Sequence, residues 1–154
     1  THNQDEAFAF CDRIAVLNRG RIEQVGKAEA LFRAPKTRFI AEFLGDGVWL
    51  SAEVQGSDSL STELGCLTYR GEQDLSELSD KEVELYLRPH QLCLTPDNKS
   101  SIRVEQERFV GGGFESVLTL SDQHLRVHTQ DSFLNQTVAV HVNANVTRVF
   151  PKSA

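Results

Sequence analysis

Methionine is missing from all 154 positions, position 1 included, and tryptophan occurs once. A chain without an initiator that opens on Thr1-His2-Asn3-Gln4 is expected to continue upstream, so it reads as a piece of a longer protein. Cysteine is scarce as well: Cys11, Cys66 and Cys93 are odd in number, far apart and without a C-x-x-C pair. That pattern gives neither a disulfide scaffold nor a zinc motif, and the cytosol is the simplest compartment. No apolar run approaches the ~20 residues that cross a bilayer, and no charged-then-apolar leader opens the chain, so a soluble piece is expected. Basic residues are outnumbered 16 to 22, for a net charge of −6. Recognition of a phosphate backbone needs clustered Lys and Arg, so no nucleic-acid partner is expected.

Motifs for self-contained chemistry are missing too. No G-x-x-x-x-G-K-[ST] is present, so there is no loop in which backbone N–H groups, a lysine and a magnesium-binding hydroxyl surround a nucleotide's phosphates. Gly111-Gly112-Gly113 runs into Phe114-Glu115-Ser116 with strand-like neighbours, which predicts a chain reversal and not a phosphate cradle. No serine lies in a G-x-S-x-G elbow. Asp5, Glu6 and Asp97 have no partner at a fixed reach for acid–base work.

What is present falls into two parts. Ala7, Phe8 and Cys11 form a short helical stripe, and Arg13 to Asn18 and Arg21 to Val25 read as a hairpin around Arg19-Gly20. Ala28 to Ala34 is helical until Pro35, and Thr37 to Leu44 is a second helix closed at Gly45. At Gly45-Asp46-Gly47 the hydrophobic period changes from helical to two, which marks a boundary between 1–45 and 46–154. Strands are then expected over Val48 to Gln55, Leu60 to Tyr69, Val83 to Arg88 and Leu92 to Thr95. More follow over Ile102 to Val110, Phe114 to Ser121, His124 to Thr129, Thr137 to Asn143 and Val146 to Phe150. The fold class is thus mainly β with an α/β N-terminal segment: short helices and a hairpin, then a small antiparallel OB-like barrel or sandwich. The acidic stretch from Gln73 to Asp80 suits a solvated loop or one helical turn.

The opening words, Thr1-His2-Asn3-Gln4-Asp5-Glu6-Ala7, Asp12-Arg13-Ile14-Ala15-Val16 and Gly20-Arg21-Ile22-Glu23-Gln24-Val25-Gly26, resemble importer-type ABC-transporter ATPases around and after the switch histidine. The resemblance continues through Ala28 to Phe32 and Phe39 to Gly45, similar to the helices that close such a domain. Leu87-Arg88-Pro89 and Phe109-Val110-Gly111 stand at landmarks of the transport-associated OB-type (TOBE) regulatory module. The Gly20 to Gly26 wording and Leu60 to Gly65 are most similar to ferric-iron importers; sulfate, polyamine or sugar remain open as cargo.

The resemblance implies that 1–45 is the end of an ATPase domain and 46–154 its regulatory β-domain. It assigns His2 as the switch histidine that contacts the γ-phosphate, Asn3 replacing the usual aspartate beside it. A near-neutral polar ring suits that contact because it senses phosphate without adding a fixed charge. The longer protein would use ATP and Mg2+, whereas this piece, lacking the phosphate loop, signature loop and acidic strand, would use none and would not be an ATPase alone. Expected partners are a second copy, the membrane-spanning permease and, indirectly, a periplasmic binding protein, at the cytoplasmic face of the membrane. A different class also accounts for the β-pattern: a free-standing barrel that binds a small oxyanion or metabolite, with the first 45 residues as a cap.

His124 and His128 share a strand face and His141 is able to approach from a neighbour, but solvent-facing strand histidines are the commoner case and no metal site is expected. Finally, Phe8, Phe10, Phe32, Phe39, Ile40 and Phe43 are expected to stay partly uncovered without an ATPase core, favouring a homodimer through the β-domain. Exchange of the N-terminal helices about Gly45-Asp46-Gly47 would extend that dimer.

Overall fold

The structure, a computed structural model, describes residues 3–78, 81–120 and 122–152, and the side chains of 4 and 5 are outside the description. The N-terminal part carries α1 (Gln4–Phe10), the hairpin β1 (Ile14–Asn18) and β2 (Arg21–Gly26), then α2 (Ala28–Arg33) and α3 (Arg38–Phe43). The hairpin turns as expected at Arg19 and Gly20, which take φ of 49° and 77°. Positive φ at both central residues gives the turn whose twist matches its strands. Thr37 caps α3 by accepting a hydrogen bond from the Ile40 N–H, satisfying one of the donors a helix start leaves free.

Twelve strands in all are formed by the described residues. The largest sheet has five strands in the order β12-β6-β3-β4-β5, from β3 (Val48–Val54), β4 (Ser59–Thr62), β5 (Gly65–Thr68), β6 (Glu82–Leu87) and β12 (Phe150–Pro151). A second sheet, in the order β10-β9-β8, joins β8 (Val104–Phe109), β9 (Phe114–Leu120) and β10 (Gln123–Thr129). The last pair is β7 (Leu92–Pro96) with β11 (Val138–Val142). All these pairings are antiparallel, and the fold is a small OB-like β-structure. Alternation decides what goes inside: β3 buries Val48, Leu50, Ala52 and Val54, and β6 buries Val83, Leu85 and Leu87. These side chains meet Leu118, Leu125 and Val127 in one continuous core.

Three expectations need correction. Leu60 to Tyr69 is not one strand but the hairpin β4–β5, reversed at Glu63-Leu64 with Gly65 at φ 100°. Val146 to Phe150 contributes only a single parallel bridge from Val146 to Tyr69 and the short β12. Ile40 is fully buried in a second, smaller core with Val16, Leu31 and Leu44, against which Phe8, Phe32 and Phe39 pack. Phe10 and Phe43 do remain uncovered, 85% and 43% exposed. The acidic stretch forms one 3-10 turn at Ser76–Leu78, and Gly111 to Gly113 reverses the chain between β8 and β9. Among the described residues no helix is long and apolar enough to cross a membrane.

Glu107 on β8 ties the three-stranded sheet to the loop before β11. Its carboxylate accepts from Ser116 Oγ at 3.0 Å, from the Phe133 N–H at 2.8 Å and from Ser132 Oγ. Burial works to raise its pKa, but these hydrogen bonds outweigh it and hold the carboxyl below its ordinary value. A depressed folded pKa contributes stability above the unfolded value of 4.5 that is lost as pH falls through the folded value. Glu107→Gln should therefore cost about 1–3 kcal/mol at neutral pH and flatten the acid limb of a pH–stability curve from urea titrations. An acid limb as steep as that of the parent would assign the slope to other carboxylates.

Candidate functional site

The chemistry-bearing side chains that converge lie at the seam between the two cores. Its centre is Arg88, at the end of β6, 4% exposed and without a carboxylate partner among the hydrogen bonds and ion pairs described. The guanidinium donates from Nη1 to the Gly45 carbonyl at 2.9 Å and from Nη2 to the Ala41 carbonyl at 3.2 Å. The Ala41 carbonyl belongs to the last turn of α3, where helix carbonyls lack internal partners and the helix dipole favours a cation, and Gly45 follows the C-cap Leu44. The Phe32 ring covers the guanidinium from α2, 3.8 Å from its central carbon to the ring centroid, and Tyr86 flanks it at 5.3 Å. One buried cation thus holds α2, α3 and β6 together.

The surrounding residues build the same joint. The Tyr86 hydroxyl donates to the Gly45 carbonyl at 3.0 Å, and burial raises its pKa, keeping it a donor. Gly45 adopts φ 145°, and a Cβ there would stand 3.1 Å from Arg88 Nη1. At Gly47 a Cβ would come within 2.7 Å of the Leu87 carbonyl oxygen and the Tyr86 ring. Gly47 is therefore required by close approach and Gly45 by its positive φ. On the other side of α3, Arg38 pairs with Glu84 and lies 3.6 Å over the Trp49 ring, while Trp49 Nε1 donates to Glu42 at 2.8 Å. Thr147 Oγ1 donates to the Arg33 carbonyl at 2.7 Å. His90 stacks on Phe32 with ring centroids 5.9 Å apart; burial first, then Arg88 and His128, holds its imidazole below the ordinary value.

His2, the residue that sequence resemblance assigns to catalysis, lies outside the described residues. No G-x-x-x-x-G-K-[ST] phosphate loop occurs in the sequence. The three histidines weighed for a metal are each engaged separately: His124 with Thr119 at 3.3 Å, His128 with Glu115 at 3.4 Å and His141 with Thr95 at 2.9 Å. Glu115 is a carboxylate neighbour of His128 that linear spacing hides, because the two meet across β9 and β10. Among the described residues no three His, Cys, Asp or Glu side chains gather as a metal set. Sequence reasoning picked out Leu87-Arg88-Pro89 as a landmark but missed its partners. The only local signals were an arginine beside a proline and the two boundary glycines.

Arg88→Ala should cost about 2–4 kcal/mol, from two charge-assisted hydrogen bonds and a stacked cation. Lysine should restore little, because it lacks the planar fork that reaches two carbonyls at once. Hydrogen exchange should show the amides of 38–44 losing protection before those of β3 and β6. Uniform loss across both cores would mean that Arg88 supports the whole fold and not the joint.

No protein-family model matches the chain. Curated relatives do. The sulfate/thiosulfate import ATP-binding protein CysA 2 of Chromobacterium violaceum is 34% identical over 172 aligned positions, taking in 100% of this chain and 45% of the relative. The spermidine/putrescine import ATP-binding protein PotA of Thermobifida fusca is 33% identical over 153 positions, 92% of this chain and 39% of the relative. The sulfate/thiosulfate import ATP-binding protein CysA of Yersinia pseudotuberculosis is 39% identical over 92 positions, 60% of this chain and 24% of the relative. The chain thus spans less than half the length of these relatives. These relatives, the first of which covers the chain from end to end, are ATP-binding proteins of ABC importers, consistent with a C-terminal fragment of an importer ATPase.

Proposed function

We propose that this chain is the regulatory and dimerisation portion of the ATP-binding subunit of an ABC importer. In this reading 1–45 closes the ATPase domain and 46–154 is its TOBE-type regulatory β-domain. The observation that carries it is the Arg88 joint, which fastens the α2–α3 segment to the β-structure by carbonyl contacts at Ala41 and Gly45. A joint of that kind lets the position of one part bear on the other. A free-standing ligand-binding barrel accounts only for 46–154; it leaves the separate core around Leu31 and Ile40 without a purpose.

The complete subunit would couple hydrolysis of ATP, with Mg2+, to import through membrane-spanning permease subunits at the cytoplasmic face. A periplasmic binding protein would act indirectly, by delivering cargo. The wording of Gly20 to Gly26 and Leu60 to Gly65 motivates ferric iron as cargo. Relatives named for sulfate/thiosulfate and spermidine/putrescine import give iron no support, and they make an oxyanion or a polyamine the competing cargoes. Uptake by cells carrying the complete importer, measured with labelled ferric iron, sulfate and spermidine in parallel, discriminates among them.

In the complete subunit His2→Ala should lower ATP turnover by about 10²–10³-fold, the scale of one lost transition-state contact, with nucleotide affinity nearly unchanged. This chain by itself should give no saturable heat with Mg-ATP in calorimetry. Equal turnover in variant and parent would remove His2 from the mechanism, and micromolar binding by the isolated chain would overturn the division of labour.

A homodimer through the β-domain completes the proposal. Phe109 is 70% and Val110 48% exposed at the β8–β9 reversal, and uncovered apolar surface of this kind favours a partner. The N-terminal helices dock on the β-structure of their own chain through Arg88, so the dimer does not require their exchange. Light scattering at micromolar concentration should return about twice the chain mass. A monomer that persists at high concentration would eliminate the β-domain contact.

A further inference from the structure

A cleft of about 450 Å³ opens beside the Arg88 joint, between α2 and the segment from Asn143 to Arg148. Its volume is within the range of small-molecule sites. The lining contains Arg33, Arg88 and Arg148 and no aspartate or glutamate, in a chain whose net charge is −6. Local positive charge in a concave, partly apolar wall focuses the field on whatever enters. Asn143 and Gln91 add amide groups, and Phe32 and Val146 supply apolar surface.

The three arginines are not equally committed. Arg88 spends Nη1 and Nη2 on carbonyls, and Arg33 reaches Glu29 at 2.9 Å on the exposed side of α2, where both side chains are more than two-thirds uncovered. Such a pair exchanges readily for a better acceptor, since an exposed ion pair is worth little. Arg148 donates through Nη2 to the Lys36 carbonyl at 3.4 Å, but its Nε–H is buried with no hydrogen-bond partner. An unsatisfied buried donor on a charged group is costly, and an anionic oxygen is the acceptor that answers it.

We propose that this cleft binds a small organic anion, whose carboxylate or phosphate oxygens are held by Arg148 and Arg33 while its body lies against Phe32 and Val146. Such a ligand touches α2 on one side and the loop leading to β12 on the other, so it fastens the same joint as Arg88. Binding rests on the cleft alone. Its regulatory meaning, control of how the ATPase end sits on the β-domain, rests on the reading given under Proposed function.

The test uses this chain with citrate, ribose 5-phosphate and inorganic sulfate as separate probes at matched ionic strength, against chloride. Citrate or ribose 5-phosphate should saturate with a Kd below about 1 mM, raising the melting midpoint by about 6–10 °C at a hundredfold excess over Kd. Amide shifts should be confined to α2 and 143–148. The organic probe that saturates identifies the charged group, while saturation by sulfate alone overturns the organic ligand. Arg148→Gln should abolish the effect, and Arg33→Gln, at an exposed position that does not threaten the fold, should weaken binding at least tenfold. No saturation by either organic probe, or unchanged binding in Arg33→Gln, overturns the site. None of these readouts involves ATP, so failure here and failure of the importer reading are distinguishable.

Discussion

A buried guanidinium with no counter-ion is costly unless every donor it turns inward finds an acceptor. Arg88 meets that demand with two main-chain carbonyls and an aromatic face instead of a carboxylate. Its acceptors are fixed in the backbone and cannot titrate, so the Arg88 contacts do not depend on the charge state of a carboxylate. The rest of the seam follows: Gly45 and Gly47 keep the main chain close enough, Tyr86 shares the Gly45 carbonyl, and Phe32 covers the guanidinium.

This arrangement explains why the chain keeps two cores instead of merging them. The smaller one, around Leu31 and Ile40, is too slight to be a domain; it gains much of its order by being fastened to a larger neighbour. Such a boundary suits a part that must transmit position, and both the importer-subunit proposal and the proposed anion cleft draw on it.

Local signals account for what could be read from the sequence. The Arg19-Gly20 reversal was legible because paired positive φ values select few residues, and β3 and β6 because strict alternation matches a half-buried strand. The β4–β5 reversal was not: Leu60, Leu64 and Leu67 continue an apolar rhythm through the turn, and only Gly65 marks it. Val146, Val149 and Phe150 are apolar without strict alternation, and Thr147 and Arg148 turn to the carbonyls of Arg33 and Lys36 instead of a strand partner. Those contacts span more than a hundred residues, as the Arg88 contacts span more than forty, and no periodicity encodes them. Ile40, expected to stay partly uncovered, is buried for the same reason, since residues that cover it come from β1 and α2.

The scarcity of tryptophan acquires a use at this seam. Trp49 is the sole indole of the chain, and it stands where α3 meets the β-structure, beneath the Arg38 guanidinium, bonded to Glu42 and edge-on to Phe150. Its emission is therefore an intrinsic optical gauge of how the two parts sit on each other. Any ligand, partner or nucleotide-driven movement that lifts α3 must rehydrate that ring, and the event is visible without attaching a label.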